Sequence, residues 1–174
     1  LCRGEKFSRS ICHVKVEAAA KARYLKILLE SKGRGERVFF DSDDFVNYHH
    51  LLSTIKENVA NIIVVLTCST LQNPWCVGEV TAAFAHGSRA KFITITCPSF
   101  TAPTPDQSSN FSLYLEVMDD SLAQYGIHLN DMKDAIAKLL DPSVPSIKVS
   151  EAGSHTPAIF DRIAASVLSR QAAN

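Results

Sequence analysis

The run at residues 61–67, NIIVVLT, is apolar at consecutive positions rather than at alternate ones. A strand with one wet face alternates, so a run of this kind must be covered on both faces, as in the middle of a parallel sheet. Parallel neighbours cannot be joined by a hairpin and need a crossover, usually a helix. The rest of the chain has the segments this requires. Strand-like runs occur at 7–14 (FSRSICHV), 37–41 (RVFFD), 91–97 (KFITITC) and 146–150 (SIKVS).

Helix-like segments alternate with them. Residues 16–33 carry Ala22, Leu25, Leu28 and Leu29 at helical spacing, with Gly33 as a stop. A second helix is spaced by Leu51, Leu52, Ile55 and Val59, with His49 and His50 at its start. A third, 75–87, is opened by Asn73 as cap and Pro74 in the first turn and is closed by Gly87. Residues 129–141, with Asn130 as a candidate cap, and 156–171, with Ile159, Ile163, Val167 and Leu168 inward, complete the set. Residues 98–110, PSFTAPTPDQSSN, read as a long Pro/Ser-rich loop.

Five strand–helix units with right-handed crossovers predict a three-layer α/β fold of flavodoxin-like type. Its sheet is parallel, in the order 2-1-3-4-5. In that architecture ligands bind beyond the carboxyl ends of the strands, near the switch point between strands 1 and 3. The chain reads as one domain over 1–174, with 1–6 an edge or linker and 98–120 a long variable loop region.

Charge narrows the partners. Lys and Arg number 18, as do Asp and Glu, so no overall field draws the chain to nucleic acid or acidic lipid. Five scattered cysteines without a CxxC pair predict reduced, buried thiols in a reducing, cytoplasmic setting and no metal site. No apolar run reaches the ~20 residues of a membrane helix.

Three stretches at the predicted ligand edge carry a resemblance. RVFFDSDDF (37–45), NIIVVLTCSTLQNPWCVGEVTAAF (61–84) and KFITITC (91–97) together resemble the Toll/interleukin-1 receptor (TIR) domain family. There a strand ending in Asp leads to a polar loop, and an apolar strand leads to Ser and then Trp-Cys-x-x-Glu. Two departures stand out: Cys12 and His13 occupy a place where many members have Ser-Tyr or Ser-His, and the loop after strand two lacks the common Arg/Pro/Gly pattern.

The resemblance implies either a self-associating signalling adaptor or an enzyme that cleaves the nicotinamide–ribose bond of NAD, as TIR enzymes do. Products would be nicotinamide with ADP-ribose or a cyclic ADP-ribose; NAD is a substrate, and no cofactor is needed. Ordinary glycoside hydrolysis uses two carboxyl groups, but nicotinamide leaves a cationic pyridinium as a neutral molecule. One carboxylate, Glu79, is then enough to stabilise the growing ribose cation.

Trp75 stands four residues before Glu79 on the same helical face and can wall the site. By analogy Cys12, His13 and Lys15 border the nicotinamide, ribose and phosphates, Asp41 closes the second strand at the substrate, and Ser42, Asp43 and Phe45 belong to a mobile flap over the cleft. Phe45 or Tyr48 would meet substrate or a neighbouring subunit. A Cys12/His13 hydrolase is disfavoured because adjacent strand residues face opposite ways. Homotypic TIR contacts are the expected protein partners, and a nucleoside N-glycosidase or deoxyribosyltransferase remains a further alternative.

Overall fold

In a computed structural model the described residues are 7–33, 35–85, 90–115, 120–149 and 157–172. Strands β1 (Phe7–Cys12), β2 (Val38–Phe39), β3 (Val59–Leu66), β4 (Lys91–Thr96) and β5 (Ser146–Lys148) pair in the order β2-β1-β3-β4-β5, every pair parallel. The flavodoxin-like architecture expected from the periodicity is the one observed.

The sheet divides the core in two. On one face α1 (Lys15–Lys32) and α8 (Pro157–Ala172) bury Ala22, Leu25, Leu29, Ile163 and Val167 against Ile63, Val65 and Ile95. On the other, α3 (Tyr48–Asn58), α4 (Pro74–Phe84) and α7 (Leu129–Leu139) cover Ile62, Val64 and Leu66 with Leu52, Ile55, Val77, Val80 and Ile136. Alternate residues of β3 thus feed opposite cores, the reason its sequence is apolar throughout. Among the described residues, no helix is long and apolar enough to cross a membrane.

Strand β1 is less apolar because it buries Arg9 completely, in an ion pair with Glu36 that follows α1. Desolvation lowers the guanidinium pKa to about 10. Gly33 ends α1 as expected, its N–H donating to the Leu29 carbonyl at 2.8 Å. A Cβ at Gly33 would stand 2.6 Å from that carbonyl oxygen, so the close approach itself requires glycine.

Several boundaries differ from expectation. Val59 begins β3 rather than ending α3, because β-branched residues favour extended backbone once pairing with Phe7 is available. Strand β2 stops at Phe39, and residues 41–44 turn into a short helix, α2 (Asp41–Asp44). Part of the expected 98–110 loop is helical, as α5 (Pro105–Ser109) and α6 (Phe111–Tyr114). Thr104 and Gln107 cap α5 reciprocally at 3.2 and 2.8 Å, and Pro105 suits its first turn.

Helix α7 begins two residues earlier than a cap at Asn130 allows, with His128 before it and the His128 N–H donating to Asp131 at 3.3 Å. Cys12, Cys76 and Cys97 are buried as expected, whereas Cys68 is exposed just past the end of β3. Gly87, Cys2 and residues 1–6 lie outside the described residues.

Candidate functional site

The carboxyl ends of β1, β2 and β3 and the first turns of α1, α2, α3 and α4 meet at one edge of the sheet. Helix α4 starts there because Asn73 accepts hydrogen bonds from the Trp75 and Cys76 amides at 3.0 and 3.2 Å, with Pro74 in the first turn. Cys76, Val77 and Val80 then face the core. Glu79 is carried inward too and is only 8% exposed.

Burial dominates the chemistry of Glu79. Desolvation, followed by the negative charge of Asp41, pushes its pKa up to about 8, while the nearby Cys12 thiol and Lys15 work the other way. The carboxyl is therefore mainly protonated at neutral pH. Around it stand Cys12 from the end of β1 and an ion pair across the first turns of two helices, Lys15 Nζ to Asp41 Oδ2 at 2.9 Å. The hydrogen bond to Asp41 raises the Lys15 pKa. Ser42 Oγ donates to Asp41 at 3.3 Å and steadies it.

Cys12 and His13 point to opposite sides of the strand end. The Cys12 thiol donates to the Cys76 carbonyl at 3.6 Å, and the Cys76 thiol to the His13 carbonyl at 3.5 Å. Hydrogen bonding to Cys76, with burial, holds the Cys12 thiol well above its usual range, which leaves it a poor nucleophile. His13 is stacked on Phe40 with ring centroids 5.0 Å apart and planes 5° from parallel. Its Nδ1–H donates to the Ile11 carbonyl at 3.3 Å, and desolvation lowers its pKa, so the ring is neutral. Among the described residues Nε2 has no hydrogen-bond partner, although the residue is 6% exposed.

The flap separates into two parts. Asp43 turns away from Glu79 to Arg23 and Lys26 on α1, at 2.6 and 2.9 Å, and Asp44 accepts from the Phe40 amide at 3.0 Å. These bonds fold residues 41–44 onto α1, so an irregular connection is found only after them, at residues 45–47. Phe45 follows, 43% exposed, its ring edge-on to Tyr48 at 5.0 Å. Tyr48 stacks on Trp75, and Trp75 meets Tyr125 edge-on at 6.4 Å.

Of the residues singled out from sequence, Cys12, Lys15, Asp41 and Glu79 interact directly or through charge, with Ser42 bonded to Asp41. His13 senses Asp41 and Lys15 as well. Trp75 borders them from the preceding turn, while Asp43 is committed to α1. Three further partners carry no signal in the local sequence. Phe40 sits in an apolar strand run, Tyr125 comes from a distant segment, and Glu17 receives Ser69 Oγ at 2.6 Å and the Cys68 thiol at 3.1 Å, tying the loop after β3 to α1. Only the DSDD and WCxxE clusters mark this edge in sequence.

A cavity of about 600 Å³ lies elsewhere. It runs between α3, α4 and α7, and Glu79 is not among its walls. The described residues contain no group of three His, Cys, Asp or Glu placed to hold a metal ion.

The architecture and its ligand edge define an α/β domain of TIR-like fold. By structure the chain is similar to the TIR domains of the activated Roq1 resistosome, which directly recognizes the pathogen effector XopQ. The TM-score is 0.62 at 10% identity, covering 95% of this chain and 99% of that one. At that identity the likeness is one of fold. No protein-family model matches the chain, and no curated protein matches it by sequence.

Proposed function

We propose that the chain is a TIR-type NAD glycohydrolase in which Glu79 is the catalytic carboxylate. The observation that supports this reading best is the burial of that single carboxyl at the strand edge, between Cys12 and the Lys15–Asp41 pair and one turn from Trp75. A fixed acid in a largely dry site is worth most where positive charge develops. The pyridinium cation of NAD favours the ionised form of Glu79 when it binds beside it. The C–N bond then breaks with its electron pair going to nicotinamide, the anomeric carbon becomes cationic opposite Glu79, and water attacks, releasing a proton. An internal nucleophile in place of water gives a cyclic ADP-ribose.

Adaptor behaviour through TIR–TIR contacts is favoured by a separate observation. Phe45 and Val46, at 43% and 68% exposure, present apolar surface just after α2. The two readings combine if association moves the Phe45–Tyr48 segment and opens the site.

Incubating concentrated protein with NAD and following nicotinamide release tests the enzyme. Turnover that falls by ~10²-fold or more in Glu79→Gln supports it, the scale of losing a charge-stabilising group. Equal rates in the two proteins, or no release from assembled protein, leave the adaptor in front. Transfer to a free base, or cleavage of nucleosides but not NAD, points to the N-glycosidase or deoxyribosyltransferase class.

A further inference from the structure

We propose that the groove between α3, α4 and α7 is a second ligand site. It takes a small molecule of mononucleotide size, anionic at one end and rich in N–H and O–H donors at the other, and its occupancy is coupled to the Tyr48–Trp75 stack. The link to activity rests on the reading of Glu79 given above; binding and its effect on Trp75 do not.

The groove exists because α4 is a low floor between two taller walls. Helix α4 packs against both α3 and α7, and on the face between them it presents Thr81, Ala82 and, at its end, Phe84, followed by Ala85. Residues at three- and four-residue spacing bring His49, Ser53 and Lys56 into one row on α3 and Asp131, Asp134 and Lys138 into another on α7. At about 600 Å³ the space is within the range of small-molecule sites.

Charge along the groove is polarised. All three helices run antiparallel to the strands, so their starts lie at one end. Asp131 is in the first turn of α7, and Asp134 follows one turn later. Lys56 and Lys138 are in the last turns of their helices and face the other end from opposite walls. Neither lysine forms an ion pair among the described residues. Glu57, beside Lys56 in the last turn of α3, adds a third carboxylate at the lysine end, which leaves that end one positive charge in excess. Three carboxylates against two lysines disfavour a polyanion such as nucleic acid. They suit a molecule whose phosphate sits between Lys56 and Lys138 and whose hydroxyl or amino donors reach Asp131 and Asp134.

Two contacts join this groove to the catalytic edge. Tyr125 lines it and lies edge-on to Trp75 at 6.4 Å. His49 lines it too, directly after Tyr48, whose ring is flat on the other side of the contact with Trp75. A ligand that touches Tyr125 and His49 therefore acts on both partners of Trp75, and it shifts the stack to the extent that it binds one arrangement better.

Trp75 is the sole tryptophan of the chain, so its fluorescence reads the stack directly. The experiment uses the whole chain carrying Glu79→Gln, which removes any complication from turnover, titrated with adenosine monophosphate, ribose 5-phosphate and inorganic phosphate in parallel with calorimetry. The expected result is a saturable change in Trp75 emission with the nucleotide and weaker binding of inorganic phosphate, which cannot span the groove. Lys56→Glu and Lys138→Glu, both at exposed positions, should each weaken nucleotide binding tenfold or more, and Tyr125→Leu should lose most of the emission change at saturating nucleotide. In wild-type protein a change in nicotinamide release on adding the nucleotide, lost in the lysine variants, would extend the effect to activity. Absence of saturable heat with all three probes, or nucleotide binding unchanged in both lysine variants, overturns the proposal.

Discussion

Tyr48 lies flat against Trp75, with ring centroids 3.6 Å apart and planes 15° from parallel. The contact joins the first turn of α3, just after the flap, to the turn of α4 that precedes Glu79. The stack is thus an optical handle on this edge of the sheet. Tyr48→Ala should redden Trp75 emission by exposing the indole and lower stability by about 1 kcal/mol beyond the lost packing. Emission unchanged from wild type would mean that the stack is not formed in solution.

On the proposed reading Glu79 must ionise to meet a cation, and burial together with Asp41 pushes its pKa up to about 8. Nicotinamide release, followed as kcat/KM, should therefore increase with pH through a midpoint near 8, the free-protein value. Asp41→Asn removes a negative neighbour and should move the midpoint down; Lys15→Met removes a positive one and should move it up. A profile flat across this range would exclude Glu79 as the ionising group.

The same shift has a signature in stability. With a folded pKa of about 8 against an ordinary 4.5, the folded state holds this proton more tightly than the unfolded chain. Its contribution is complete below pH 4.5 and is lost as pH rises to about 8. Glu79→Gln stays neutral at every pH, so thermal melts should show a flatter pH dependence and a midpoint several degrees above wild type beyond pH 8.

His13 offers a neutral ring with Nε2 unpartnered among the described residues. His13→Phe keeps a ring to stack on Phe40 and removes that acceptor. Stability should be unchanged or slightly higher, because an unsatisfied buried atom is gone, while KM for NAD rises about tenfold, the value of one lost hydrogen bond. Steady-state kinetics alongside melts separate this from a packing defect, in which both would worsen.

Arg9 is fully buried in β1 and pairs with Glu36. Glu36→Ala leaves the guanidinium without that carboxylate and should cost about 3 kcal/mol in denaturant unfolding. Replacing Arg9 by Met should cost much less, since it removes the charge along with its need for a partner.

What could be read locally was read from period and punctuation. The runs around Ile63 and Ile93, the spacing of Leu25 with Leu29, the Asn73–Pro74 start and the Gly33 stop each express a requirement that neighbouring residues alone must meet. Parallel pairing follows from strands apolar on both faces, and so the sheet order was legible. Val59, Asp41 and the segment around Pro105 were assigned to the wrong element because each choice depends on a partner: Phe7 for pairing, Arg23 and Lys26 for anchoring the flap through Asp43, and the Thr104–Gln107 cap.

The sequence by itself determined the alternation of strands and helices, the edge where α4 begins, and the presence there of one acid beside the sole tryptophan. Tertiary structure alone decided that Glu79 is buried and mainly protonated, that Phe40 lies under His13, and that Tyr125 reaches Trp75 from another part of the chain. The physical reason is range. Hydrophobic period and helix caps act over a few residues, whereas desolvation and the charge of Asp41 act through space, across parts of the chain that meet only in the folded protein.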